Sequence, residues 1–159
     1  MSDASSTSDL SVRVKTGFPL AAGIAILLFT PALVIGLAVM AVAFIGAQEL
    51  TSMLSAKDDN SDTTVLLPEW LLPGTAVLMG LGALAGESGL HGALLISALG
   101  WIIFELVFTP KSELAKLSSL GFGLFGMVWA VWSVLHITLI KILPEGTALL
   151  FYLLLVISF

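Results

Sequence analysis

Long apolar stretches alternate with short polar segments along almost the whole chain. After a polar start, apolar runs cover residues 18–48, 70–86, 92–109, 120–140 and 147–159. A membrane-spanning helix needs roughly 20 mostly apolar residues, because the hydrocarbon core is about 30 Å thick and each helical residue rises about 1.5 Å. The pattern therefore predicts an all-α protein, a bundle of helices that crosses a bilayer several times.

The first run is too long for one span. Its 31 residues would form a helix of about 46 Å, well beyond the thickness of the hydrocarbon core. Thr30-Pro31 lies near its middle, and proline removes a backbone donor and disfavours helix in the residue before it. The run is therefore predicted to fold as a proline-centred hairpin of two short helices, residues 18–30 and 32–48.

Counting the hairpin as two, the pattern predicts about five complete spans and a truncated sixth over residues 147–159. That last run of 13 residues gives only about 20 Å of helix. A carboxylate left inside hydrocarbon costs several kcal/mol. We therefore expect the sequence to be a fragment of a longer protein.

The basic residues predict the orientation, because short cytoplasmic loops are enriched in Lys and Arg. With the hairpin, five bases fall on one side of the membrane and Lys141 alone on the other: Arg13, Lys15, Lys57, Lys111 and Lys116. Without the hairpin the split is three to three. The count favours the hairpin and places the amino terminus in the cytoplasm. We therefore expect a multi-pass protein of the plasma (inner) membrane, with residues 1–16 as a polar cytoplasmic tail and residues 17–159 as the transmembrane region.

The predicted connections between spans are residues 49–69, 87–91 and 110–119, which hold most of the charged side chains. A cleaved signal peptide fits poorly, because the apolar run after Lys15 continues far beyond the 7–15 residues of a signal core.

Composition supports the membrane prediction and excludes several other classes of protein. Apolar residues make up 58% of the chain and charged residues 11%, against about 45–50% and about 25% in soluble domains. The net charge of -5 makes nucleic acid an improbable partner, since nucleic-acid binding requires a basic patch. The absence of cysteine excludes disulfides and thiolate metal sites.

Three side chains in or beside the predicted spans are candidates for chemistry. An ionisable group inside a span is a functional candidate by default, which singles out Glu105. The alternative, which we favour, is that Glu105 lies close enough to the cytoplasmic end to reach headgroup water. His91 and His136 lack partners at metal-ligand spacing and are interpreted as interfacial or packing residues. His136 is predicted to share an aromatic seam with Trp129 and Trp132, at spacings of three, four and seven residues.

Glycines recur in the third and fifth predicted spans. Gly82 and Gly86 form a small-xxx-small pair, which allows two helices to approach closely in lipid. The glycines predict helix packing, either within the bundle or between two copies of a homodimer, and both alternatives stay open. The remaining recurrent glycines of these spans are Gly80, Gly121, Gly123 and Gly126.

Three stretches of the sequence carry a likeness to known proteins: the opening DLSVRVKTGFPLAAG, the close of the hairpin at Ala47-Gln48-Glu49-Leu50, and residues 120–159. Together they resemble the amino-terminal half of the phosphatidate cytidylyltransferase (CDP-diacylglycerol synthase) family. In the last stretch, the family's Gly-x-x-aromatic helix and the following loop glycine correspond to Gly126, Trp129 and Gly146. Trp129 stands where tyrosine is more usual in the family.

The resemblance implies an enzyme that transfers CMP from CTP to phosphatidate, releasing pyrophosphate and forming CDP-diacylglycerol for phospholipid biosynthesis. It also implies Mg²⁺, which serves the phosphates in such chemistry. The family's Lys- and Asp-rich catalytic signature does not occur in this sequence. No catalytic, cofactor-binding or metal-binding residue is therefore assigned, and the chain is expected to be inactive without that segment.

A second interpretation treats the resemblance as one of hydropathy alone. The chain would then be a small non-enzymatic multi-pass membrane protein, such as a transporter subunit or an assembly factor. A Walker-type loop, HExxH and GxSxG are all absent from the sequence.

Overall fold

The computed structural model describes residues 28–55, 68–108 and 113–158, together with Gly23 and Ile26. Every regular element in this part of the chain is a helix. A π-helical segment, Met127–Trp132, joins two of the helices into one continuous rod. In chain order the α-helices are α1 (Ala32–Ser55), α2 (Leu71–Leu84), α3 (Glu87–Phe108), α4 (Glu113–Gly126), α5 (Ser133–Ile142) and α6 (Gly146–Ser158).

Within the described part of the chain, three helices are long and apolar enough to cross a membrane, namely Ala32–Met53, Glu87–Phe108 and Lys116–Ile142. Leu71–Leu84 and Gly146–Val156 are apolar but shorter. The predicted all-helical fold is thereby confirmed for the described residues, and its apolar helices are consistent with the predicted membrane setting. The count of about five complete spans stays a prediction, and most of the predicted helix over residues 18–30 lies outside the described residues.

Helix contacts show how the chain runs back and forth. Gly36 in α1 lies against Leu84 and Thr138, while Gly126 lies against Leu50 and Leu72. Helix α1 is thus antiparallel to both α2 and the rod from α4 to α5. Contacts of α3 with α2 and α4 make it antiparallel to both as well, because Gly89 touches Gly82 and Trp101 touches Gly123.

This arrangement gives the bundle two ends. The Pro31 end carries the break at Thr30-Pro31, the turn at Gly86 and the turn from Leu143 to Glu145. The Glu105 end carries the carboxyl-terminal parts of α1 and α3 and the amino-terminal parts of α2 and α4. Between the two ends lies an apolar core that includes Ala47, Leu72, Met79, Leu90, Met127, Val131 and Leu135.

Two predicted connections are partly helical. The predicted turn over residues 87–91 is wrong, because α3 already begins at Glu87 and the chain turns at Ala85-Gly86. Gly86 has φ of 101°, a conformation that suits glycine, and the Glu87 carboxylate is favourable at a helix amino terminus. Likewise α4 begins at Glu113, so the polar residues of a predicted loop extend a helix beyond its apolar run.

Candidate functional site

A line of polar and aromatic side chains runs along the interior face of α3. Ser97, Trp101 and Glu105 are spaced four residues apart, which places them on one side of the helix, and all three are buried. Helix α4 packs against this side in the antiparallel sense. The line runs from the middle of α3 to the Glu105 end, and we call it the α3 polar line.

Glu105 is fully buried, with an exposed fraction of 0%. The expectation that its carboxyl group reaches headgroup water is therefore wrong. Its side of α3 faces α4, not lipid or solvent, because it shares that side with Trp101, which is also buried. A buried carboxyl group requires hydrogen-bond partners, since hydrocarbon offers none.

Ser119 of α4 is one partner of this carboxyl group. The Ser119 hydroxyl, itself fully buried, donates a hydrogen bond to Oε1 of Glu105 across 2.5 Å. Sequence reasoning missed Ser119. Its signal would have been a serine that falls opposite Glu105 once α3 and α4 run antiparallel.

The indole of Trp101 lies directly on Gly123 of α4. Any side chain at Gly123 would occupy the space of that ring, so the glycine creates the slot that lets Trp101 lie between the two helices. Among the described residues, neither Trp101 Nε1 nor Ser97 Oγ has a hydrogen-bond partner. The α3 polar line therefore combines the Glu105–Ser119 hydrogen bond with two buried polar groups, the Trp101 indole N–H and the Ser97 hydroxyl.

The glycines predicted to pack do so in part. Gly82 lies against the backbone of Gly89, which confirms a close approach of α2 and α3, and Gly80 lies against Met40. Gly86 serves the turn after α2, so its predicted packing role is wrong. Gly121 faces open space, whereas Gly126 contacts Leu50 and Leu72.

The predicted aromatic seam holds for two of its three members. The rings of Trp132 and His136 meet edge to face with centroids 4.2 Å apart, and His91 lies 6.1 Å from Trp132. Trp129 instead stacks on Phe125 and is exposed. The π-helical segment explains the difference, because its wider turn carries Trp129 away from the face that spacings of three and four residues predict for an α-helix.

The described residues do not fit a Mg²⁺ site. Among them, no three His, Asp or Glu side chains lie close enough together to hold a metal ion. His91 and His136 both lie against the ring of Trp132. What the α3 polar line can do is accept and donate hydrogen bonds in a region closed to water.

Comparison with known proteins assigns the family. The sequence model of the cytidylyltransferase family matches residues 11–159, nearly the whole chain. The chain belongs to the cytidylyltransferase family. Neither the curated proteins nor the solved structures include a significant match to it.

The matched residues include all the described helices from α1 to α6. The α3 polar line and the contact between Gly82 and Gly89 therefore lie within the part of the chain that matches the family. The resemblance drawn from the sequence is thereby confirmed at the level of the family.

Proposed function

We propose that this chain forms the membrane-embedded amino-terminal part of a phosphatidate cytidylyltransferase. The observation that carries the proposal is the family match over residues 11–159, joined with three helices long enough to span a bilayer. In the proposed reaction a phosphate oxygen of phosphatidate attacks the α-phosphorus of CTP. The bond to the β-phosphate breaks, pyrophosphate leaves, and CDP-diacylglycerol forms in the membrane.

The role proposed for this chain is to build the wall of the bundle along which the lipid substrate reaches the reaction site. In this proposal, CTP and Mg²⁺ bind to the family's Lys- and Asp-rich catalytic segment. No residue of this chain is assigned to the metal. Phosphoryl transfer requires charge neutralisation around the phosphates, and the described residues hold no cluster suited to that task. We propose that residues 1–159 alone have no activity.

The proposed orientation places the Glu105 end at the cytoplasmic face, where CTP is found. The five bases that the sequence predicts for that side support this orientation through the enrichment of Lys and Arg in cytoplasmic loops. The non-enzymatic alternative loses its main support, because a family match across nearly the whole chain exceeds a likeness in hydropathy alone.

Formation of CDP-diacylglycerol from labelled CTP and phosphatidate tests the proposal. Membranes that contain residues 1–159 alone are expected to form no product. Membranes that contain the chain joined to the carboxyl-terminal catalytic segment of a phosphatidate cytidylyltransferase are expected to form it, and that segment alone serves as the control.

Product from the chain alone would refute the proposed division of labour. A joined protein that inserts and folds yet forms no product would refute the assignment to this reaction. Transfer to a different lipid phosphate, with none to phosphatidate, would refute the substrate.

A further inference from the structure

A cleft opens beside the first turns of α6 at the Pro31 end of the bundle. Its volume is about 540 Å³, and three of the residues on its wall are aromatic. The rings of Phe151 and Tyr152 meet at 67° with centroids 6.3 Å apart. We call it the α6 cleft; it is lined by Leu28, Phe29, Glu145, Thr147, Ala148, Phe151 and Tyr152.

Glu145 contributes the carboxylate of the cleft from a disfavoured backbone conformation. Its φ of 62° lies in the left-handed region, which glycine or asparagine adopts far more readily than glutamate. Such conformations cluster at functional sites, where a particular side chain is kept in spite of the strain. Glu145 is exposed, so its carboxylate is accessible to a ligand.

Thr147 contributes a hydroxyl group with a defined direction. Its Oγ1 accepts a hydrogen bond from Lys141 Nζ at 2.5 Å, and the same ammonium group donates to the Leu28 carbonyl at 2.6 Å. With its oxygen accepting from Lys141, the Thr147 hydroxyl can donate its own proton to an acceptor in the cleft. The positive charge of Lys141, which is hydrogen-bonded to Thr147, favours an anionic acceptor there.

We propose that the α6 cleft binds the headgroup of a zwitterionic glycerophospholipid such as phosphatidylethanolamine. The ammonium group would lie among the rings of Phe29, Phe151 and Tyr152 and beside the Glu145 carboxylate, since aromatic faces and carboxylates both attract cations. The phosphate would accept a hydrogen bond from Thr147. A zwitterionic headgroup thus interacts through its ammonium group with Glu145 and through its phosphate with Thr147, which is hydrogen-bonded to Lys141.

A second groove lies next to the cleft and suits an acyl chain. Its volume is about 380 Å³, and its wall is almost entirely apolar, formed by Ile140, Leu149, Tyr152, Leu153 and Val156. Tyr152 lines both the cleft and the groove, so the two adjoin. The groove follows α6 away from the Pro31 end, the direction that an acyl chain takes from its headgroup into the bilayer.

This lipid differs from the proposed substrate. Phosphatidate carries no ammonium group, so the Glu145 carboxylate would repel its headgroup. The cleft also lies at the end of the bundle opposite Glu105 and the proposed cytoplasmic face. The inference rests on the cleft and on the membrane setting, and it stands or falls independently of the proposed enzymatic function.

Lipid retention tests the proposal on the full chain. The protein would be placed in bilayer discs of equal parts phosphatidylethanolamine and phosphatidylglycerol, transferred to mild detergent, and its retained lipids measured by mass spectrometry. We expect phosphatidylethanolamine to be enriched about fivefold over phosphatidylglycerol. Glu145→Gln is expected to abolish the enrichment. Glu87→Gln, an exposed glutamate at the same end of the bundle, should leave it unchanged.

Tyr152→Leu provides a second variant that leaves the turn at Glu145 intact, and it is also expected to lower the enrichment. Equal retention of the two lipids by the unmodified chain would overturn the proposal. So would an unchanged enrichment in either Glu145→Gln or Tyr152→Leu protein of normal helix content.

Discussion

The hydrogen bond between Glu105 and Ser119 joins α3 to α4 at a place where water does not compete. Both side chains are fully buried, and the donor and acceptor are 14 residues apart in the sequence. In such surroundings the loss of one partner costs more than the bond contributes, because the other partner stays buried after losing that bond.

Glu105→Ala is expected to lower the free energy of unfolding by about 1–3 kcal/mol. The substitution removes the buried hydrogen bond between the two side chains and also creates a cavity. Glu105→Gln should cost less, since its amide oxygen can still accept from Ser119. Unfolding of the purified protein in detergent, followed by circular dichroism, measures both.

Glu49→Ala is the matched control, because Glu49 is an exposed glutamate at the same end of the bundle and its substitution should change stability little. Equal losses in the Glu49 and Glu105 variants would contradict the importance of the buried bond.

Two glycines of α4 provide a direct comparison of packing. Gly123→Ala is expected to destabilise the protein by about 1–3 kcal/mol, because the new methyl group overlaps the Trp101 indole. Gly121→Ala faces open space and should stabilise α4 by about 0.5–1 kcal/mol. Thermal unfolding and tryptophan emission would report the two effects, and a stable Gly123→Ala protein with unchanged emission would contradict the described slot.

At the scale of elements, the π-helical segment decides which faces of the rod meet the bundle. The hydroxyl of Ser133 donates to the carbonyl of Val128, five residues earlier, at 3.0 Å. Met127 and Val131 are buried while Trp129 is exposed. The wider turn of the π-helical segment changes the rotation between α4 and α5 about the axis of the rod. Each helix can then bury its own face, which includes Ser119 in α4 and Leu135 in α5.

Deletion of Ala130 is expected to convert this segment to ordinary α-helix at modest cost, because an i to i+5 turn holds one residue more than an i to i+4 turn. Deletion of Ile137, within the regular helix α5, should be far more damaging, since it rotates Thr138 and Lys141 by about 100° away from their contacts. Helix content and melting temperature compare the two, and equal damage would contradict the role given to the π-helical segment.

The ends of the helices depended on more than hydropathy. The apolar runs indicated helices, yet α3 begins at Glu87 and α4 at Glu113, inside segments predicted as loops. A polar first turn is compatible with a helix, because acidic side chains at a helix amino terminus interact favourably with the helix dipole and can stay in contact with solvent. Hydropathy marks the part of a helix that lies in lipid, and the backbone continues beyond it.

At the scale of the whole molecule, the described helices place the breaks of the chain at two opposite ends. Lys141 links two segments at the Pro31 end. Its ammonium group donates hydrogen bonds to the carbonyl of Leu28, before the proline, and to the hydroxyl of Thr147, at the start of α6. The proposed bilayer orientation assigns the Pro31 end to the face away from the cytoplasm.

Because the chain has no cysteine, single cysteines can report this orientation without background. Cysteine at position 13 or 57 is expected to react with an impermeant maleimide only in inverted membranes. Cysteine in place of Glu145 should react only from the opposite face. Labelling of positions 57 and 145 from the same side would contradict the arrangement.

The sequence by itself determined the environment and the class of fold. Apolar runs of this length indicate helices in lipid because the bilayer sets a length and denies the backbone any partner outside its own helix. Proline marked the break before α1, and the family could be identified from the residues. These properties depend on composition and local pattern.

Only the tertiary structure decided which side chains meet. Glu105 is buried because α4 packs against it and places Ser119 opposite its carboxyl group. The residues next to Glu105 and Ser119 in the sequence do not reveal this contact. The same holds for Trp101 on Gly123 and for the α6 cleft, whose wall joins residues more than one hundred positions apart. Lipid can solvate every face of an apolar helix equally well. Which residues are buried is therefore determined by the faces through which the helices pack against one another.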